Sequence, residues 1–75
     1  MTRELDCRGM RCPMPVIELA RMFPEVAIGE TVAVATTDPA AGVDLAAWCR
    51  MRDQEYAGED VAADGVTRYL VRRLT

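Results

Sequence analysis

Leu5-Asp6-Cys7-Arg8-Gly9-Met10-Arg11-Cys12-Pro13-Met14-Pro15 runs directly into Val16, Leu19, Ala20 and Phe23, an apolar set spaced i, i+3, i+4 and i+7. The spacing predicts a helix over 13–23, preceded by a short strand over 2–6 and a tight loop. Cys12 then falls at the helix N-cap, with Pro13 at the first helical position, where a missing N–H removes no intrahelical bond. Pro15 falls at the third position and lacks a donor as well. The Met14 N–H is left as the expected backbone donor to the Cys12 sulfur. A cysteine so placed feels the positive end of the helix dipole, and Arg8 and Arg11 add charge nearby. The expectation is therefore a reactive, exposed thiol with a lowered pKa, in preference to a small buried hydrophobe.

Working outward, Pro24 removes the donor that would bond the Ala20 carbonyl and ends or kinks the first helix. Residues 30–36, Glu-Thr-Val-Ala-Val-Ala-Thr, alternate large and small apolar side chains, as a central strand covered on both faces does. Asp38 and Pro39 make a good N-cap and first position for a second helix over 39–51. Val43, Ala46, Ala47, Arg50 and Met51 form no clean stripe on it, so Trp48 has two candidate faces. Residues 54–61 form a weaker strand anchored by Tyr56 and Val61, with a bulge expected at Gly58. Asp64-Gly65 signals a hairpin turn into a last strand over 66–72. The element order is βαβαββ. Right-handed crossovers put both helices on one face of a mixed four-stranded sheet, an α/β two-layer sandwich.

The run from Leu5 to Pro15 resembles the signature of the TusA/SirA-like sulfur-carrier family, small proteins built around a Cys-Pro-X-Pro motif, here Cys12-Pro13-Met14-Pro15. The likeness continues through Gly29-Glu30, Thr37-Asp38-Pro39, Asp44 and Leu45, Trp48-Cys49 and Arg68-Tyr69-Leu70-Val71-Arg72. It covers nearly all 75 residues as a single domain. The resemblance implies the same fold and a sulfur cargo. Cys12 would accept sulfane sulfur as a persulfide from a cysteine desulfurase or rhodanese-like donor and relay it to an acceptor protein. Asp6, Arg8, Gly9, Arg11, Pro13, Met14 and Pro15 would support it. Cys7 is a possible second thiol, which leaves two other readings: a thiol–disulfide switch between Cys7 and Cys12, or a regulatory binding module with an inert Cys12.

Composition narrows the classes. A chain of 75 residues has room for one small core. The net charge of −3 argues against nucleic acid as the main partner. The charge is uneven: residues 25–65 hold nine acids against Arg50 and Arg52, while 66–75 hold Arg68, Arg72 and Arg73 with no acid. All nine basic residues are arginine, a side chain whose fork suits carboxylates on a partner, although codon composition accounts for much of this usage. No apolar run approaches the ~20 residues of a membrane span, and the polar start carries no secretory or transit pattern. Three cysteines leave one unpaired after any disulfide, which fits a cytoplasmic, thiol-reducing compartment. With no histidine there is no Cys/His dyad, and a zinc site from Cys7, Cys12 and Cys49 would need its fourth ligand from an acid or water. No metal and no cofactor are expected. Cys49 reads as helix packing. Asp6 is expected to bond loop N–H groups, and Met10 and Met14 are either docking or cap residues.

Overall fold

The computed structural model describes residues 2–75. The elements are β1 (Thr2–Asp6), α1 (Met14–Met22) continuing into a 3-10 turn (Phe23–Glu25), β2 (Thr31–Ala35), α2 (Ala41–Arg52), β3 (Glu55–Val61) and β4 (Thr67–Arg72). The sheet order is β1-β2-β4-β3. β1 runs parallel to β2, and β4 is antiparallel to both of its neighbours. This is the expected βαβαββ sandwich, with a mixed sheet and both helices on one face. No helix among the described residues is long and apolar enough to cross a membrane.

The sheet's two faces follow from period-two alternation. Val32 and Val34 of β2 pair with Val71 and Tyr69 of β4, and Leu5 pairs with Val34. These side chains form the helix-facing layer, against which Leu19, Phe23, Leu45, Trp48 and Cys49 pack. The Phe23 and Trp48 rings meet edge to face at 5.0 Å, a favoured aromatic geometry. On the other face β2 presents Ala33 and Ala35, both fully buried. Small side chains there leave room for Arg68, opposite Ala35, to lie across the sheet. Its guanidinium binds both Asp60 oxygens at 2.7 Å and Glu4 at 2.9 Å, tying β4 to both edge strands. Arg8, Arg3, Arg21 and Arg72 also pair within the chain. Arg73 donates to the Val26 carbonyl at 2.6 Å, and Arg52 lies over Trp48. Most of the arginines therefore hold the fold's own acids, carbonyls and rings.

Three sequence expectations are corrected. The first helix starts at Met14 with Pro13 as N-cap, so Pro15 is its second residue and Cys12 lies one position outside. The second helix starts at Ala41. Asp38 accepts the Ala40 N–H on its side chain and the Ala41 N–H on its carbonyl, closing a turn before the helix rather than capping it. Val61 is exposed and anchors nothing. The second helix does carry a core stripe, Ala41, Leu45, Trp48 and Cys49. The apolar Val43, Ala47 and Met51 on its other side hide that stripe in the sequence, since Val43 and Met51 are 74% and 78% exposed. The bulge at Gly58 is as expected: the register shifts between Tyr56, which pairs with Val71, and Gly58, which pairs with Leu70. So is the Asp64-Gly65 turn, where Gly65 at φ 86° takes the left-handed position.

Leu45 has no exposed surface, so Leu45→Ala is expected to cost about 2–5 kcal/mol. Met51→Ala is expected to stay within about 0.5 kcal/mol of wild type. Urea denaturation at pH 7 measures both, and a loss at Met51 equal to that at Leu45 would contradict the assignment of α2's core face.

Candidate functional site: the Cys12 loop and the first turn of the second helix

The site grows from the parallel pairing of β1 and β2. Both strands end at the same edge of the sheet, at Asp6 and Ala35, which are register partners. Both chains then turn into helices packed on the same face, so the starts of α1 and α2 come together. The loop after β1 is held in three ways. The Cys7 N–H extends the ladder to the Ala35 carbonyl at 2.7 Å. The Asp6 carboxylate accepts the Arg8 N–H at 3.1 Å, the expected Asx turn. The Met10 N–H closes on the Cys7 carbonyl at 3.1 Å across Gly9, whose φ of 78° suits glycine.

Arg8 turns away from the sulfur expectation. Its guanidinium binds both Asp64 oxygens at 2.8 and 3.2 Å and Asp6 at 3.0 Å, which pins the loop to the β3–β4 hairpin. Contacts with Arg8 hold the carboxyls of Asp6 and Asp64 below their ordinary values. At Asp6 the first cause is the hydrogen bond from the Arg8 backbone N–H, and at Asp64 it is the Arg8 side chain. Arg8 is thus a structural tie of the loop. Arg11 is exposed beside Cys12, and its carbonyl accepts the Met14 N–H at 2.7 Å. That bond takes the donor expected for the Cys12 sulfur. Pro15 is buried under the helix start, and Met14 stands partly exposed. Met10 packs against the core as a cap residue.

Cys12 is exposed, whereas Cys7 and Cys49 are buried; all three are free thiols. Cys7 belongs to the core cluster with Leu19 and Val34. Burial raises the Cys7 thiol above its ordinary value and pushes Cys49 up to about 11. Both are poor nucleophiles, because the thiolate is the reactive form.

The partner of Cys12 is 32 residues away. Its S–H donates to Asp44 Oδ2 at 2.7 Å. Asp44 lies in the first turn of α2, a position complementary to the helix dipole. The carboxylate accepts a hydrogen bond from the neutral thiol and repels the thiolate, so the Cys12 pKa is raised. Partial desolvation and the charge of Asp38 act in the same direction. The expected lowering is therefore reversed. The thiol sits outside the N-cap, Arg8 is spent on Asp6 and Asp64, and a carboxylate touches the sulfur. In the sequence Asp44 stood out only through the family resemblance. The signal that finds it is topological: parallel β1 and β2 bring both helix starts to one edge, and Asp44 is an acid in the first turn of the second.

Between the helices, Cys12, Pro13, Val16, Asp44, Ala47, Trp48 and Met51 line a shallow, mostly apolar groove. The sulfur and the carboxylate lie at one end of a surface to which Ala47 and Met51 contribute apolar atoms. Cys12 is thus a solvent-facing thiol of an α/β domain, set on a braced loop beside an open groove. The sequence profile described as Sulfurtransferase TusA matches residues 3–73, and the chain belongs to that family. Among its relatives is a protein of Archaeoglobus fulgidus named "Putative sulfur carrier protein", 31% identical over 70 residues, which cover 93% of this chain and 91% of that one. Another is "Putative sulfur carrier protein YrkF" of Bacillus subtilis, 29% identical over 69 residues. The match covers 92% of this chain but 37% of the Bacillus protein, so the chain spans little more than a third of that relative's length.

In the native protein, iodoacetamide is expected to label Cys12 and to spare Cys7 and Cys49. A raised pKa means less thiolate at neutral pH, so the alkylation rate should rise with a midpoint above the ~8.5 of a free thiol. A midpoint at or below that value would show that Asp44 does not hold the sulfur in solution.

Proposed function

We propose that this protein carries sulfur on Cys12. The thiol attacks the terminal sulfur of a donor persulfide, holds it as Cys12–S–SH, and yields it to a thiol or other nucleophile on an acceptor protein. Atoms balance without an outside oxidant: the donor's S–S bond breaks, a Cys12 S–S bond forms, and the donor leaves as a thiol.

The observation that carries this reading is that Cys12 is the exposed thiol of the three, set on a loop braced to both a strand and a hairpin. A carrier needs its sulfur on a rigid mount and reachable by two partners in turn. Asp6, Arg8 and Gly9 supply the mount. Pro13 and Pro15 start the helix behind it, and Arg11 and Met14 flank it on the solvent side. The partners proposed are a protein persulfide donor, such as a cysteine desulfurase or rhodanese-like domain, and a protein acceptor. Met51, which lines the groove with Cys12, and Met14, two residues after it, are exposed and apolar and suit successive docking of two proteins. Family membership and the names of the relatives support the sulfur cargo. Three free cysteines agree with a thiol-reducing, cytoplasmic setting.

Incubation with a cysteine desulfurase and cysteine, followed by intact mass, tests the reading. Wild type, Cys7→Ser and Cys49→Ser are expected to gain one sulfur atom that a reductant removes, and Cys12→Ser to gain none. A Cys12→Ser protein that still gains sulfur would move the cargo to another thiol. Loss of two hydrogen masses in place of a sulfur gain would identify a Cys7–Cys12 disulfide switch.

A further inference from the structure

The contact between Cys12 and Asp44 raises a chemical problem that the carrier reading leaves open. A thiol hydrogen-bonded to a carboxylate is kept neutral, and a neutral thiol is a weak nucleophile. We propose that Asp44 is a catalytic residue of the transfer: its carboxylate takes the Cys12 Sγ proton as Sγ attacks a persulfide and passes that proton to the departing thiolate. The inference rests on Cys12 being the sulfur-bearing residue.

Geometry places the two groups for it. Asp44 Oδ2 lies 2.7 Å from Sγ, already on the proton that must leave. Asp44 is the carboxylate in hydrogen-bond contact with the sulfur. Asp38, in the turn between β2 and α2, acts on it through its charge alone: its Oδ1 accepts the Ala40 N–H and its Oδ2 is buried without a partner. Arg11, on the loop itself, is a cation and accepts nothing. The chain has no histidine to act as a base. Asp44 also borders the apolar groove between the helices. A docked partner covers that groove, and covering it strengthens every electrostatic contact inside.

The step closes in protons and electrons. A Sγ lone pair forms the bond to the donor's terminal sulfur, and the donor's S–S electron pair leaves on its inner sulfur. The Sγ proton moves to Asp44 Oδ2 and from there to the departing thiolate. That last move runs downhill, since a carboxylic acid is far stronger than a thiol. Delivery is the reverse. The acceptor's nucleophile gives its proton to Asp44, and Asp44 returns it to Sγ as Cys12 leaves. A sulfur beside a carboxylate leaves badly as an anion and well as a thiol. The raised pKa has a use in this scheme, because thiol nucleophilicity falls as pKa falls. With Asp44 already in contact with Sγ, the site keeps a strong nucleophile masked until a persulfide arrives.

Asp44→Asn separates this role from simple repulsion, because it removes the charge and the base at once. The probe is glutathione persulfide, with sulfur gain on Cys12 followed by rapid-quench mass spectrometry. Each rate is taken as a ratio to wild type at the same pH, so that the donor's own titration cancels. In Asp44→Asn the Cys12 pKa falls and alkylation by iodoacetamide at pH 7 speeds up, whereas sulfur loading at pH 7 slows by at least about tenfold. General base catalysis is worth ~100-fold or more, and the larger thiolate fraction offsets part of it. Raising the pH above the variant's own thiol midpoint closes the gap, since a thiolate needs no base. Loading by Asp44→Asn as fast as wild type or faster at pH 7 would overturn the proposal and leave Asp44 as an electrostatic restraint. A deficit that stays constant with pH would overturn it too, by showing a structural role. Failure of wild type to load, or loading of Cys12→Ser, would instead remove the carrier reading on which the proposal stands.

Discussion

The constraint on which the rest depends is the parallel pairing of β1 with β2 under two helices on one face. β2 is the strand the fold buries most completely, with Val32 to Ala35 all without exposed surface. Because β1 lies parallel beside it, the loop after Asp6 and the turn after Ala35 leave the sheet at one edge. Ligand sites of sheets with parallel strands gather outside the strands' carboxyl ends for the same reason. Here the rule brings Cys12 of one loop to Asp44 of the next helix, 32 residues apart in sequence and 2.7 Å apart in space.

The open face of the sheet serves this arrangement from behind. Alanine at 33 and 35 lets the Arg68 guanidinium lie flat over the strand and bind Asp60 and Glu4. Arg8 extends the pattern by clamping the Cys12 loop to Asp64 in the hairpin. Exposed ion pairs of this kind contribute little stability singly. Their value here is positional: bidentate contacts to Asp60 and Asp64 fix where β3, β4 and the loop lie relative to one another.

Much of this was legible in the sequence. The strand ends, the hairpin at Asp64-Gly65, the bulge at Gly58 and the exposed thiol at Cys12 follow from local signals: alternation, turn residues and prolines at a helix start. What was not legible is non-local or masked. The second helix carries apolar side chains on two sides, so periodicity alone did not separate the buried Leu45 and Trp48 from the exposed Val43 and Met51. Arg8 reads as a neighbour of the sulfur until Asp64, distant in sequence, claims its guanidinium. The sign of the Cys12 pKa shift turned on a carboxylate in another element. A helix-dipole argument made from one helix therefore gives the opposite direction to the one that the folded site sets.

The central claim is that Cys12 rests as a neutral thiol bonded to the Asp44 carboxylate. Infrared spectroscopy of the S–H stretch, with Cys12 assigned by difference against Cys12→Ser, reads that bond directly. The account predicts a Cys12 band shifted to low frequency and broadened near neutral pH, returning toward the position of a free thiol in Asp44→Ala. A Cys12 band absent at neutral pH, as for a thiolate, or one at the free-thiol position at every pH, would contradict it.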